Sequence, residues 1–160
     1  MPVGVGWDVP GAVRDRVEFH WFHVPTSGAL VLSVLSQAPV WYVGHFSSGR
    51  MRPCTGSGCE CCEHGIGTQL RYLVSCVEMS TRQVGVFEFG PSISILIKQW
   101  ASGMGYLKGM ILEVTRASKS KHSRMEVHLI REPPAAWAMS IEGLPLEEVL
   151  ERTWERAEVS

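Results

Sequence analysis

Thr68 to Trp100 reads TQLRYLVSCVEMSTRQVGVFEFGPSISILIKQW, and its hydrophobic period switches at Gly90. In residues 68–79, Leu70, Tyr72, Val74 and Cys76 alternate with Arg71 and Ser75, the period-two pattern of a strand with one face buried. Ser80 to Gln83 is turn-forming, and VGVFEF (84–89) reads as the returning strand. Pro91 suits a first helical turn. Ile93, Leu96, Ile97 and Trp100 then recur at helical spacing, with Gly103 and Gly105 as the stop. Two strands followed by one helix form the middle of this chain.

On the N-terminal side, ALVLSVLSQ (29–37) and VWYVGHF (40–46) are apolar, with Pro39 between them. They read as one long bent strand or two short ones. On the C-terminal side, YLKGMILEVTR (106–116) and MEVHLIR (125–131) alternate and flank a polar, basic loop, a hairpin. The order of long strand, strand, strand, helix, strand, strand predicts an OB-fold, a five-stranded Greek-key barrel with its helix between strands 3 and 4. The expected organisation is an N-terminal extension (1–28), the OB-fold (29–132) with a metal loop at 45–64, and a linker with an acidic C-terminal helix (133–160). In the extension, EFHWFHV (18–24) reads as a short strand. His20 and His23, set among aromatics, read as packing residues. The terminal helix carries an apolar stripe of Leu146, Val149, Leu150 and Trp154.

Between the first and second predicted strands lies HFSSGRMRPCTGSGCECCEH (45–64), with four of the chain's five cysteines. Cysteines this crowded, in a chain whose start lacks the pattern of a secretory signal, predict a metal site rather than a disulfide framework. Cys59 and Cys62 make a C-x-x-C knuckle, and Cys54 lies five residues earlier across flexible Thr-Gly-Ser-Gly. With His45 at the end of its strand, these make a tetrahedral set for one zinc per chain. His64 and Cys61 remain competitors for a place in the set. Four protein ligands close the shell, which predicts a structural ion, because catalytic zinc keeps a position open for water. Cys76, on an apolar strand face, reads as a buried, inert thiol.

The set His45…Cys54…Cys59-x-x-Cys62 resembles, in ligand type and order, that of the T-even phage helix-destabilising single-stranded DNA-binding proteins, with shorter spacings. The resemblance covers about residues 35–131 in architecture and the four ligands in detail. It implies an OB-fold with structural zinc, single-stranded DNA as partner, and an acidic C-terminal segment that recruits replication or recombination proteins.

Charge is distributed accordingly. The chain carries −1 in all, but residues 142–160 hold six glutamates and two arginines, leaving the body mildly basic. Cations to track phosphates would be Arg50 and Arg52 in the metal loop, Arg71, Lys108, and Arg116, Lys119, Lys121 and Arg124 in the basic hairpin. Trp41 and Tyr106, with Tyr42 as a further candidate, would stack on bases. No segment has the length and apolarity of a membrane span, and the expected location is cytoplasmic. No nucleophile–base arrangement or phosphate-cradling glycine loop predicts an enzyme. The competing reading is a zinc-stabilised assembly module whose interface is the terminal helix stripe.

Overall fold

The computed structural model describes residues 19–47, 49–120 and 123–159, without the side chains of Arg50 and of residues 153–159. Lys121 and most of the N-terminal extension lie outside the described residues. Among the described residues, seven strands form one antiparallel sheet: β1 (Leu30–Val34), β2 (Val40–Ser47), β3 (Arg50–Pro53), β4 (Gln69–Glu78), β5 (Val84–Phe89), β6 (Ile111–Arg116) and β7 (Met125–Ile130). Four helices among the described residues accompany it: α1 (Glu60–Glu63), α2 (Pro91–Met104), α3 (Ala136–Met139) and α4 (Leu146–Val159).

β4 is the spine. One of its edges pairs first with β2, from Gly44↔Gln69 to Val40↔Leu73, and then with β1, from Val34↔Cys76 to Leu32↔Glu78. β1 and β2 are therefore one long strand interrupted at Leu35–Pro39. Proline has no N–H to continue a ladder, and Leu35 donates its own to Ser75 instead. The opposite edge of β4 pairs with β5 through Tyr72↔Phe89 to Val77↔Val84. β1 also pairs with β6, and β6 with β7.

The sheet is not closed into a barrel, which corrects the five-stranded barrel expected from the element order. β5 does not pair with β7. Its free edge is taken by the N-terminal segment, which runs parallel to it: Phe22 N–H donates to Val86 O at 2.9 Å, and Val86 N–H to His20 O at 2.7 Å. Gly85 permits this approach, because a Cβ there would stand 2.7 Å from His20 O. The sequence also hid β3, a short strand inside the metal loop that pairs back onto β2.

Alternation on β4 buries both faces. Val74 and Cys76 join Leu32, Val34, Phe87, Phe89, Leu112 and Val114 in the main core. α2 closes that core with Ile93, Ile97, Trp100, Ala101 and Met104. Leu96, expected on this apolar face, is 40% exposed; Ala101 and Met104 extend the stripe instead. Gly105, in the left-handed region at φ 83°, ends α2. Tyr106 to Gly109 turn rather than extend, so β6 begins at Ile111, five residues later than expected.

On the other face, Leu73 and Val86 pack with Tyr42 beneath Leu146, Val149 and Leu150 of α4. Leu35 and Val77 pack beneath Ala138 of α3, and Leu144 N–H donates to Ser75 Oγ at 2.8 Å. Burying the three α4 side chains contributes roughly 5–9 kcal/mol of hydrophobic stabilisation. The stripe expected as an external interface is thus buried against the chain's own sheet, apart from Trp154, whose side chain is not among those described. Among the described residues, no helix is long and apolar enough to cross a membrane.

Candidate functional site

β2 delivers His45 fully buried, opposite Arg52 on β3. The chain then turns back, with Cys54 N–H donating to Val43 O at 2.9 Å, and Gly56 and Gly58 take left-handed conformations that bring Cys59 round. Cys59 precedes α1 and Cys62 lies within it, so the knuckle occupies one turn and both sulfurs project to one side.

The four ligand atoms converge within 4.8 Å of one another. His45 Nε2 is 3.5 Å from Cys59 Sγ and 3.4 Å from Cys62 Sγ, and Cys54 Sγ is 3.6 Å from Cys62 Sγ. Tetrahedral coordination with the usual zinc bond lengths places sulfur and imidazole nitrogen about 3.5 Å apart and two sulfurs about 3.8 Å apart. The sulfurs are much too far apart for a disulfide, whose bond is about 2 Å. His45 Nδ1 lies 2.9 Å from Ile66 O and 3.1 Å from Gly67 O. Two carbonyl acceptors require the proton on Nδ1, which leaves Nε2 with a lone pair aimed at the sulfurs. Sequence reasoning missed Ile66 and Gly67, because backbone acceptors leave no trace in residue type.

The electrostatics of the cluster call for a cation. Backbone N–H groups of Cys62 and Thr55 draw the Cys59 thiol down to about 6. The Gly56 N–H, then His45, draw Cys54 down as well. The Cys54 sulfur and burial push Cys62 up to about 11. The Cys54 sulfur also raises His45 above its ordinary value, against its burial. Thiolate charge thus accumulates until the last sulfur resists ionising, and a bound divalent cation would remove that resistance. The cluster is positioned to hold a metal ion. His64 stands outside it, with Nδ1 2.8 Å from Glu60 O, and Cys61 is not among its members. Cys76 is fully buried in the main core, and burial pushes its thiol up.

A second feature lies at the open seam of the sheet. A cavity of about 460 Å³ is bounded by the N-terminal segment (Trp21, Phe22), the end of β5 with the start of α2, and the β6–β7 hairpin. Three of the predicted cations, Arg71, Arg116 and Arg124, line it together. Arg71 pairs with Glu88 at 3.4 Å. Arg116 donates to Ser123 O at 3.0 Å and to Val24 O at 3.4 Å. The Arg124 side chain is 82% exposed and lies 3.8 Å from Glu126.

The other expected contacts do not line this cavity. Trp41 is 62% exposed on β2, opposite Tyr72 of β4. Arg52 is half-buried, with its Nε shielded from solvent and without a hydrogen-bond partner. Tyr106 and Lys108 are half-buried in the turn before β6, and Lys119 is exposed in the β6–β7 hairpin loop. Arg50 begins β3. Tyr42 is buried and donates to Glu88, which leaves no face for stacking. Trp21 and Phe22 of the cavity were missed as site residues; an aromatic pair in an unplaced N-terminal segment carries no signal of what it packs beside.

No protein-family model matches the chain, and no curated protein or solved structure matches it.

Proposed function

We propose that the protein binds single-stranded DNA with little sequence preference, on an OB-like sheet braced by one structural zinc. The observation that carries this reading is the convergence of Arg71, Arg116 and Arg124, far apart in sequence, around one cavity with Trp21 and Phe22 in its wall. Guanidinium groups beside aromatic rings supply the two elements that hold single strands, phosphate neutralisation and base stacking. The strand connections support the OB assignment. Taking β1 and β2 as one split first strand, the pairs β2·β4, β1·β4, β4·β5, β1·β6 and β6·β7 follow OB order, with α2 in the expected place. The His45, Cys54, Cys59 and Cys62 set is one that zinc favours, and its closed shell suits a brace for the loop between β3 and β4. Exposed Trp41 is available as a second stacking platform. Among the described side chains of the acidic segment, Glu142, Glu147, Glu148 and Glu151 are exposed and available for recruiting a protein partner.

Fluorescence anisotropy of labelled oligo(dT) at several salt concentrations tests the reading. Three phosphate contacts predict a log–log salt slope of about −2. Absence of binding at low salt refutes the proposal and favours the assembly module, for which exposed Trp41, Val43 and Phe46 on β2 would replace the buried α4 stripe.

A further inference from the structure

We infer that the seam cavity is a site for a terminal phosphomonoester of a nucleotide, so that the protein prefers a phosphorylated strand end to the interior of a strand. This deepens the single-stranded DNA reading and rests on it for the strand.

The first support is a surplus of positive charge. Three guanidinium groups and one carboxylate, Glu88, line the cavity, and a second carboxylate, Glu126, lies 3.8 Å from Arg124, so the surplus is the charge of Arg116. Among the described residues no carboxylate lies within ion-pair distance of Arg116; its two hydrogen-bond acceptors are neutral carbonyls. Arg71 Nη1 sits beside Gly90, the N-cap of α2, where an added Cβ would stand 3.1 Å from it. A cation at a helix N-terminus opposes the helix dipole; the first turn of α2 has no acidic residue, and Glu88, 3.4 Å from Arg71, is the carboxylate that offsets it in part. Arg71 Nε is also buried without a hydrogen-bond partner. An anion near this wall would relieve both conditions. A terminal phosphomonoester carries about −1.5 to −2 at neutral pH, against −1 for an internal phosphodiester, and presents three oxygens to forked donors.

The second support is the shape of the site. A strand crossing the sheet would continue over Tyr42, Leu73 and Val86, but α4 and Phe19 cover that surface. The cavity is therefore a dead end from that side, which suits a terminus. Trp21 and Phe22 offer rings against which the terminal base can rest.

The test is competition binding by 5′-phosphorylated, 3′-phosphorylated and hydroxyl-terminated oligo(dT), with thymidine monophosphate as the free-nucleotide arm. One phosphorylated end should bind about tenfold tighter or better than the hydroxyl-terminated strand, as expected for hydrogen bonds to a charged group. Arg124→Glu, at an exposed side chain, should abolish that gain while the far-ultraviolet spectrum stays unchanged. Lys98→Glu, on the exposed side of α2 and outside the cavity, should preserve it. Equal binding of phosphorylated and hydroxyl-terminated strands overturns the inference and leaves the single-stranded DNA reading standing. If no strand binds but thymidine monophosphate does, and Arg124→Glu abolishes that binding, the phosphomonoester site stands and the strand reading falls. Failure of all four ligands overturns both.

Discussion

Lowering the pH from about 8 to about 5 should unload the metal centre in two stages, because the metal must displace protons from its ligands. In the metal-free cluster, Cys62 is pushed up to about 11 by the Cys54 sulfur and by burial, so it holds its proton at neutrality. Cys59, drawn down to about 6 by backbone N–H groups, is already a thiolate there. Metal binding near neutrality therefore displaces at least the Cys62 proton, and apparent affinity should fall by at least about tenfold per pH unit. Below about 6 the Cys59 proton must be displaced as well, and the fall should steepen to roughly a hundredfold per unit, with His45 adding to it. The sign follows from the ligands: coordination depresses each thiol below its metal-free value, so loading is complete at high pH and lost on acidification. Competition against a chromogenic chelator across this range measures the slope. None of the four ligands belongs to the three buried apolar clusters, so the far-ultraviolet spectrum should survive unloading largely intact. An affinity flat with pH, or folded protein that neither carries nor takes up a divalent metal at about pH 8, would refute the reasoning.

Three further outcomes follow from the same geometry. Cys59→Ser should reduce bound metal well below one equivalent, whereas Cys61→Ser should leave one equivalent; elemental analysis of both separates a cluster member from its neighbour. Leu150→Ala should destabilise the protein by about 2–5 kcal/mol, read by denaturant unfolding, because it opens a cavity between α4 and β4. Gly85→Ala should push residues 20–22 off β5 and remove two backbone hydrogen bonds, about 1 kcal/mol each. Amide exchange at Phe22 and Val86 reports the change, and unchanged protection there would mean that the N-terminal segment does not hold that edge.

The metal set was legible in the residues because its geometry is nearly local. A C-x-x-C knuckle brings two sulfurs to one side within a single helical turn, and glycines at 56 and 58 let the loop swing Cys54 in. The strands and α2 were legible for a similar reason: alternation and helical spacing are properties of short windows. Leu96 marks the limit, since periodicity supplied a stripe but could not say which of its edges meets the core.

What the sequence by itself determined is the kind of element at most places and the segment, 45–64, that carries the candidate metal ligands; the structure decided that His45, Cys54, Cys59 and Cys62 converge while His64 and Cys61 stand outside. The tertiary structure decided which edge each strand offers and what occupies it. It split the first strand, left β5 and β7 unpaired with each other, placed residues 20–22 on the β5 edge, and laid α4 over Leu73 and Val86. It also gathered Arg71, Arg116 and Arg124 around the resulting seam. These outcomes depend on pairings between segments tens of residues apart, where edge groups of similar chemistry compete for the same partners. A competition of that kind is settled by the whole set of contacts formed together, and no single window of sequence contains it.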